Sequence, residues 1–252
     1  MEIVRINPKH KKNILLIAVP VVLVAVVALL LQFTQSGYLM TVPYRSAFTE
    51  INEHVYVNKN YAGDKRDLIE LIGQAKDRVC EFFGGLSFQD NTIFIIYDDE
   101  KLMRKISEDH GTVIINFPSE IRYICVSDEY LDLDVLAHEI THAELHARLS
   151  VEAQKTIPTW FDEGIAMQND YRERYSEAQW ALQTNNGENA VALEDMDTPS
   201  KFYAGEAEDR RFRYVNAKHE LGEWMTSHGQ RGLLELLEKL NDGTDFNTAY
   251  GS

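Results

Sequence analysis

Two histidines and a glutamate lie within five consecutive residues, His138-Glu139-Ile140-Thr141-His142. On an α-helix, residues four apart lie about 40° apart around the axis, so both imidazoles can face one point. Zinc requires such convergence, because its nitrogen ligands lie at about 2.0–2.1 Å in a tetrahedron. Glu139 follows the first histidine and can accept a proton from water at the metal's open position. The pattern predicts a hydrolytic metal site.

A third ligand is predicted on the following helix. Glu163 lies in the segment Trp160-Phe161-Asp162-Glu163-Gly164-Ile165-Ala166, and 20 residues separate it from His142. Two histidines and one glutamate give three protein ligands and leave a fourth position for water. We expect Gly164 to let this helix approach the first one closely, with Trp160 packed beside it.

The elements that position these side chains follow from apolar periodicity. Residues 131–149 are predicted to form the motif helix, and its apolar positions lie opposite the histidines: Leu133, Leu136, Ile140, Ala143 and Ala147. Pro158 is predicted to open the second helix, which continues through about Tyr175. Asp132 or Asp134 lies near the start of the motif helix.

Strands precede these helices. We predict strands at 51–57, 92–97, 113–117 and 121–126, and a helix at 68–83 that is capped by Asp64 and stopped by Gly84-Gly85. A polar, acidic stretch at 185–211 precedes closing helices at 214–227 and 232–240, and it is a candidate lid. Strands followed by helices predict an α+β fold with a mixed sheet.

The two motif segments together resemble the gluzincin metallopeptidases, in particular the peptidase MA-like domain related to aminopeptidase N and thermolysin. The match is specific at His138-Glu139-Ile140-Thr141-His142 and at Trp160 to Ala166, and it extends more weakly from about Leu68 to Phe246. The resemblance implies a zincin-like (thermolysin-like) domain that binds one Zn²⁺ per chain. It assigns His138, His142 and Glu163 as ligands and Glu139 as the general base.

Further roles rest on the same resemblance. Tyr214 is expected to hydrogen-bond the developing oxyanion, with Tyr203 and His219 as rivals. Asp170 is expected to orient a ligand imidazole. The strand at 121–126 is expected to pair with an extended substrate. His146 is expected to be solvated or hydrogen-bonded rather than a ligand.

Two related patterns are missing. No segment resembles the Gly-x-Met-Glu-Asn strand by which aminopeptidases hold a free amine, which leaves an endopeptidase or a small-peptide hydrolase open. The metzincin pattern is excluded, because Leu145 and Arg148 stand where it needs a glycine and a histidine.

The N-terminal region predicts a membrane anchor. Residues 14–31 are 18 consecutive apolar residues, and four basic residues precede them. That length is close to the bilayer thickness, and the positive charge places residues 1–13 in the cytoplasm. A cleaved signal peptide is the alternative. Residues 32–43 are then a linker, and residues 44–252 form one extracytoplasmic domain.

Charge and cysteine content exclude other classes. The chain carries 40 acidic and 25 basic side chains, a net charge of −15, which argues against binding of nucleic acid. Cys80 and Cys125 are too few for a disulfide scaffold, and both a bridge and buried free thiols remain open.

The combined prediction is a single-pass, membrane-anchored zinc metallopeptidase that hydrolyses peptide or protein substrates outside the cytoplasm. Two alternatives belong to other classes of protein. One is a catalytically silent zincin-fold module that acts by binding or as a chaperone. The other is a membrane-tethered structural protein in which the motif arose by chance.

Overall fold

The computed structural model describes residues 19–23, 26, 34–88, 92–98, 111–113 and 121–251. Within them the fold is α+β, with a small mixed sheet and helices. The strands are β1 (Phe48–Asn52), β2 (Val55–Asn58), β3 (Thr92–Tyr97), β4 (Gly111–Val113) and β5 (Arg122–Ser127). Their order in the sheet is β1-β2-β3-β5-β4. The strands β2, β3 and β5 are parallel, and the two edge strands β1 and β4 are antiparallel to their neighbours.

From residue 34 onward, the described part of the chain contains nine α-helices. They are α1 (Gln35–Met40), α2 (Lys65–Phe83), α3 (Leu133–Arg148), α4 (Val151–Gln154), α5 (Thr159–Met167), α6 (Glu177–Thr184), α7 (Pro199–Phe202), α8 (Ala207–Asn241) and α9 (Phe246–Tyr250). The strands at 92–97 and 121–126 are confirmed, the latter one residue further along. The strand predicted at 113–117 overlaps β4 at Val113, and its other residues lie outside the described part.

The sheet is buried on both faces. Alternate residues of β3 and β5, such as Phe94 and Ile124, join the main core with the helices α2, α3, α5 and α8. Their neighbours Ile95 and Cys125 point to a second, smaller cluster, which Leu39 of α1 covers. A strand buried on both faces is apolar throughout, which is why the run at 92–97 could be identified from sequence.

The predicted single strand at 51–57 is wrong. The chain instead forms the hairpin β1–β2, with Asn52 paired to Val55 across a two-residue turn. His54 takes the left-handed conformation, with φ of 62°. A two-residue turn with a left-handed second residue normally carries glycine or asparagine at that residue, so histidine at position 54 gave no clear turn signal.

The helix start signals were accurate for α2 and α3, and so was the stop signal for α2. The Asp64 carboxylate accepts hydrogen bonds from the amides of Arg66 and Asp67, and Gly84 ends the helix with φ of 72°. At α3, it is Asp132 that caps, accepting from the amide of Val135 at 2.7 Å. Both helices therefore begin where their aspartates satisfy amides that have no partner within the helix.

The second site helix is shorter than predicted. It ends at Met167 rather than near Tyr175, and residues 173–175 form one 3₁₀ turn. Beyond its end, the Asp170 carboxylate accepts a hydrogen bond from the amide of Arg172 at 3.1 Å. Such short-range side-chain bonding offers the backbone an alternative to the helix, which explains why α5 stops.

The two predicted closing helices correspond to the halves of α8. Gly229, with φ of 63°, breaks the helical conformation between them. The first half begins at Ala207, earlier than predicted, so the end of the polar stretch at 185–211 is helical.

The predicted membrane segment at 14–31 lies outside the described residues except for 19–23 and 26. Among the described residues, no helix has the length and apolarity needed to cross a membrane. Part of the predicted linker at 32–43 packs against the sheet, because Tyr38, Leu39 and Val42 are buried in the second cluster.

The cysteines are free thiols. Cys80 lies on α2, which packs on the main-core face of the sheet, whereas Cys125 is buried in the cluster on the opposite face. Because the sheet separates them, the bridge left open by the sequence does not form.

Candidate metal centre

Three buried side chains meet between α3 and α5. His138 and His142 lie one turn apart on α3, and their Nε2 atoms are 3.1 Å from each other. The Glu163 Oε2 atom lies 3.4 Å from each of these nitrogens. The three residues could hold a metal ion, because their ligand atoms lie within 4.8 Å of one another. The structure thus brings together the three predicted ligands.

The orientation of His142 is fixed by Asp162. Its carboxylate lies 2.6 Å from His142 Nδ1, so the opposite nitrogen, Nε2, faces the centre. The second oxygen of Asp162 lies 2.8 Å from Nε2 of His146. A carboxylate behind a metal-binding imidazole fixes its tautomer and increases its basicity.

The prediction that Asp170 orients a ligand imidazole is wrong. It assumed that the helix continues past Met167, which would place residues 163 and 170 on one face. The Asp170 carboxylate instead pairs with Arg172. His146 is hydrogen-bonded, as expected.

Tyr203 holds Glu163, the third candidate ligand. Its hydroxyl donates a hydrogen bond to Glu163 Oε1, which leaves Oε2 for the centre. That Oε2 atom is buried and has no hydrogen-bond partner among the described residues. Its polar neighbours include the two imidazole Nε2 atoms, each 3.4 Å away, so a buried carboxylate oxygen at this point would be stabilised by a cation held between the three groups. Tyr203 comes from the polar stretch at 185–211, so this stretch contacts the site directly.

The other two candidates for the oxyanion role differ in position. The Tyr214 ring lies 6.2 Å from the His138 ring, centroid to centroid, and beside the Glu139 cavity. His219 stacks on Trp180 at 3.3 Å and bonds to Glu177. These contacts place His219 on the α6 side of α8, and Tyr214 at the site.

Gly164 sets the distance between α5 and α8 rather than between α5 and α3. A Cβ atom at this position would lie 2.8 Å from the backbone oxygen of Ala217, which is too close for any side chain. The expectation of close approach was therefore correct, but the partner helix was not the expected one. Trp160 packs edge-on against Phe246 and Tyr250 in the main core.

The electrostatics of the site favour a cation. Burial would raise the pKa of Glu163, but His142 and His138 outweigh it and lower that pKa to about 2. Burial would lower the pKa of His142, yet the carboxylates of Asp162 and Glu163 outweigh it and raise that pKa. The ligands thus sit among ionised carboxylates, which is the environment that stabilises a bound cation.

Glu139 lies beside the ligands without joining them. It is 7 % exposed, and its Oε2 atom has no hydrogen-bond partner among the described residues. Burial raises the pKa of its carboxyl group, against the lowering effect of His138 and His142. A raised pKa makes the carboxylate a better proton acceptor.

A cavity of about 150 Å³ opens next to Glu139. Its lining includes His138, Glu139, Met167, Arg172, Tyr175 and Tyr214. The predicted substrate-pairing strand is not available, because β5 is paired on both sides, to β3 and to β4. In the described part of the sheet, β4 is the edge strand on this side, and it lies against α3.

Two contacts that shape the centre were missed by sequence reasoning: that of Asp162, and that of Tyr203, which had been considered only for the oxyanion role. Asp162 directly precedes Glu163, so it was within the motif but was not assigned a role. Tyr203 lies 40 residues from Glu163, and only the fold reveals its contact. An aspartate next to the glutamate ligand was the one signal that could have been used.

We predict that Asp162→Ala weakens metal binding without abolishing it. The variant leaves His142 free to rotate, and loss of such a supporting carboxylate typically costs about 10- to 100-fold in affinity. Competition with a chromogenic chelator would measure the dissociation constant. His146→Ala is the control, since it keeps the bond between Asp162 and His142. Equal affinities for Asp162→Ala and wild type would contradict the role of Asp162.

Comparison with known proteins adds no identification: no protein-family model matches the chain, and neither does any curated protein.

Proposed function

We propose that this protein is a zinc-dependent metallopeptidase of the gluzincin type. The observation that carries the proposal is the convergence of His138, His142 and Glu163 on one point, with Glu139 beside them. Three protein ligands leave one coordination position open, which is the arrangement of catalytic rather than structural zinc sites.

The spacing of the ligand atoms supports zinc. Bonds of 2.0–2.1 Å directed to the corners of a tetrahedron place ligand atoms about 3.3–3.4 Å apart. The separations here are 3.1, 3.4 and 3.4 Å. Two imidazoles and one carboxylate are also a donor set that suits zinc, whereas Mg²⁺ and Ca²⁺ prefer oxygen ligands.

The zincin-like fold is proposed from the same elements. Both site helices follow a mixed sheet, and the antiparallel edge strand β4 lies against the motif helix. Because β4 is the edge strand among the described strands, an extended peptide could add there as a further strand, so its scissile bond would lie over the candidate ligands.

When bound, zinc would polarise the scissile carbonyl and lower the pKa of the attacking water. Glu139 would accept the proton of that water and pass it to the leaving nitrogen. Tyr214 would donate a hydrogen bond to the oxyanion as it forms. Asp162 and Tyr203 hold His142 and Glu163 in place, so these ligands need not reorganise during the reaction.

The proposed location is outside the cytoplasm, with the domain held to the membrane by residues 14–31. The support is the apolar run and the four basic residues before it. The peptidase domain would then act on peptides or proteins near the extracytoplasmic face of that membrane.

The decisive test is the metal dependence of peptide hydrolysis by the full chain. We expect about one zinc per chain by elemental analysis and cleavage of a mixed peptide library detected by mass spectrometry. Cleavage should disappear after dialysis against a chelator and return when one equivalent of zinc is added. A chain that binds zinc but cleaves no peptide would favour the silent binding module. A chain that binds no zinc would refute the metallopeptidase.

A further inference from the structure

The cavity beside Glu139 carries a positively charged side chain. Arg172 lines it, together with Val135, Met167 and Tyr175, and its guanidinium carbon lies 5.1 Å from the Tyr175 ring centroid. The volume of about 150 Å³ is of the size that accepts a benzene ring, so there is room for one side chain. An arginine at the wall of such a small cavity is a candidate for recognising an anion.

Within the described part of the chain, one edge of the Arg172 guanidinium is occupied. Its Nε atom donates to both oxygens of Asp170, at 2.9 and 3.0 Å, and Nη2 donates to the second oxygen as well. Asp170 is completely buried and does not line the cavity. Its carboxylate therefore holds the guanidinium from the interior side.

The second edge of the same guanidinium remains available. Among the described residues, the structure gives Nη1 of Arg172 no partner, and the side chain is 23 % exposed. A guanidinium can hold one carboxylate on its Nε–Nη2 edge and another on its Nη1–Nη2 edge, each with two parallel hydrogen bonds. The bond to Asp170 also fixes the plane of the group, so little conformational entropy is lost when a second carboxylate binds.

We propose that Arg172 is a specificity-determining residue that binds a carboxylate on the leaving-group side of the scissile bond. This inference rests on the proposed function. Glu139 lines the same cavity, and it would deliver its proton to the leaving nitrogen. The residue that carries that nitrogen must therefore lie at the cavity. Its carboxylate is either the free C-terminus of the substrate or an acidic side chain.

The test uses three N-acetylated alanine peptides and the full chain. One peptide ends in a free carboxylate, and the second ends in an amide. The third is a set of amide-ended peptides, each of which carries one glutamate at a different position. The quantities to measure are kcat/KM with the zinc-loaded protein and the dissociation constant of each peptide, by calorimetry, with the metal-free protein. A charge-assisted pair should favour one carboxylate peptide over the plain amide by about 10- to 100-fold.

Variants separate recognition from folding. Arg172→Gln should abolish the preference, and Arg172→Lys, which keeps the charge beside buried Asp170 but loses the fork, should reduce it. If Arg172→Gln does not fold, the proposal is tested by two results: the preference of the wild type for a carboxylate peptide, and the reduction of that preference in Arg172→Lys. Arg174→Gln is the matched control: Arg174 is exposed and lies 5.0 Å from the same Tyr175 ring, and it does not line the cavity.

The outcomes distinguish this inference from the proposed function. Hydrolysis of all three peptides with equal kcat/KM and equal binding would overturn the role of Arg172 and leave the peptidase standing. A binding preference that depends on Arg172, without any hydrolysis, would support the carboxylate site and count against the peptidase.

Discussion

Replacing Glu139 by glutamine is expected to lower the rate of peptide hydrolysis by about 10²- to 10⁴-fold while zinc stays bound. Loss of a general base costs this much when the metal and the remaining groups are intact. Glutamine has nearly the same volume as glutamate, so the buried position, 7 % exposed, should accept it without repacking. The measurements are kcat on the most rapidly cleaved peptide and zinc content by elemental analysis.

An exposed glutamate provides the control for Glu139→Gln. Glu152→Gln removes an exposed carboxylate on α4 and should leave the rate unchanged. A Glu139→Gln protein that cleaves at the wild-type rate with zinc bound would remove Glu139 from the mechanism. The fall should appear in kcat more than in KM, because a general base acts in the transition state rather than in substrate binding.

The convergence of the three candidate ligands could be predicted from sequence because two of them are linked by helix geometry. Once α3 forms, the positions of His138 and His142 differ by one turn, and no tertiary information is needed to bring them together. The prediction for Glu163 also required the placement of α5 against α3. Apolar periodicity does not give that placement, and the resemblance of the two motif segments to gluzincins supplied it.

The residues that support the ligands were less predictable. The assignment of Asp170 depended on where α5 ends, and helix ends are set by local side-chain bonding such as that between Asp170 and the Arg172 amide. Tyr203 contacts Glu163 across 40 residues that include two short helices and several loops, and no local sequence signal predicts such a long-range contact. The sequence therefore predicted the three side chains that converge better than the groups that hold them.

The same distinction holds for the fold. Buried parallel strands such as β3 and a capped amphipathic helix such as α2 carry strong local signals, and both were predicted well. The hairpin β1–β2 was missed because its turn contains His54 in a left-handed conformation without glycine. The position of β4 at the sheet edge follows from strand order, which a single sequence does not encode locally.

The largest effect on metal content is expected from His142→Ala. The variant removes one of three ligands, so zinc should fall from about one per chain to near zero, and hydrolysis should disappear with it. The fold should persist, because Asp162 keeps its second partner: it lies 2.8 Å from His146. Stabilisation by added zinc, measured as a rise in Tm, should therefore be present in wild type and absent from the variant.

His146→Ala tests whether this effect is specific to the ligand. His146 lies one turn further along α3 and contacts the same Asp162, so both variants remove an imidazole from one carboxylate. We expect His146→Ala to retain zinc, the Tm rise and most of the hydrolysis, since His142 keeps its 2.6 Å contact with Asp162. Equal zinc loss in both variants would mean that the metal is held by a different set of residues. Zinc retained by His142→Ala would exclude His142 as a ligand, and with it the geometry on which the peptidase proposal rests.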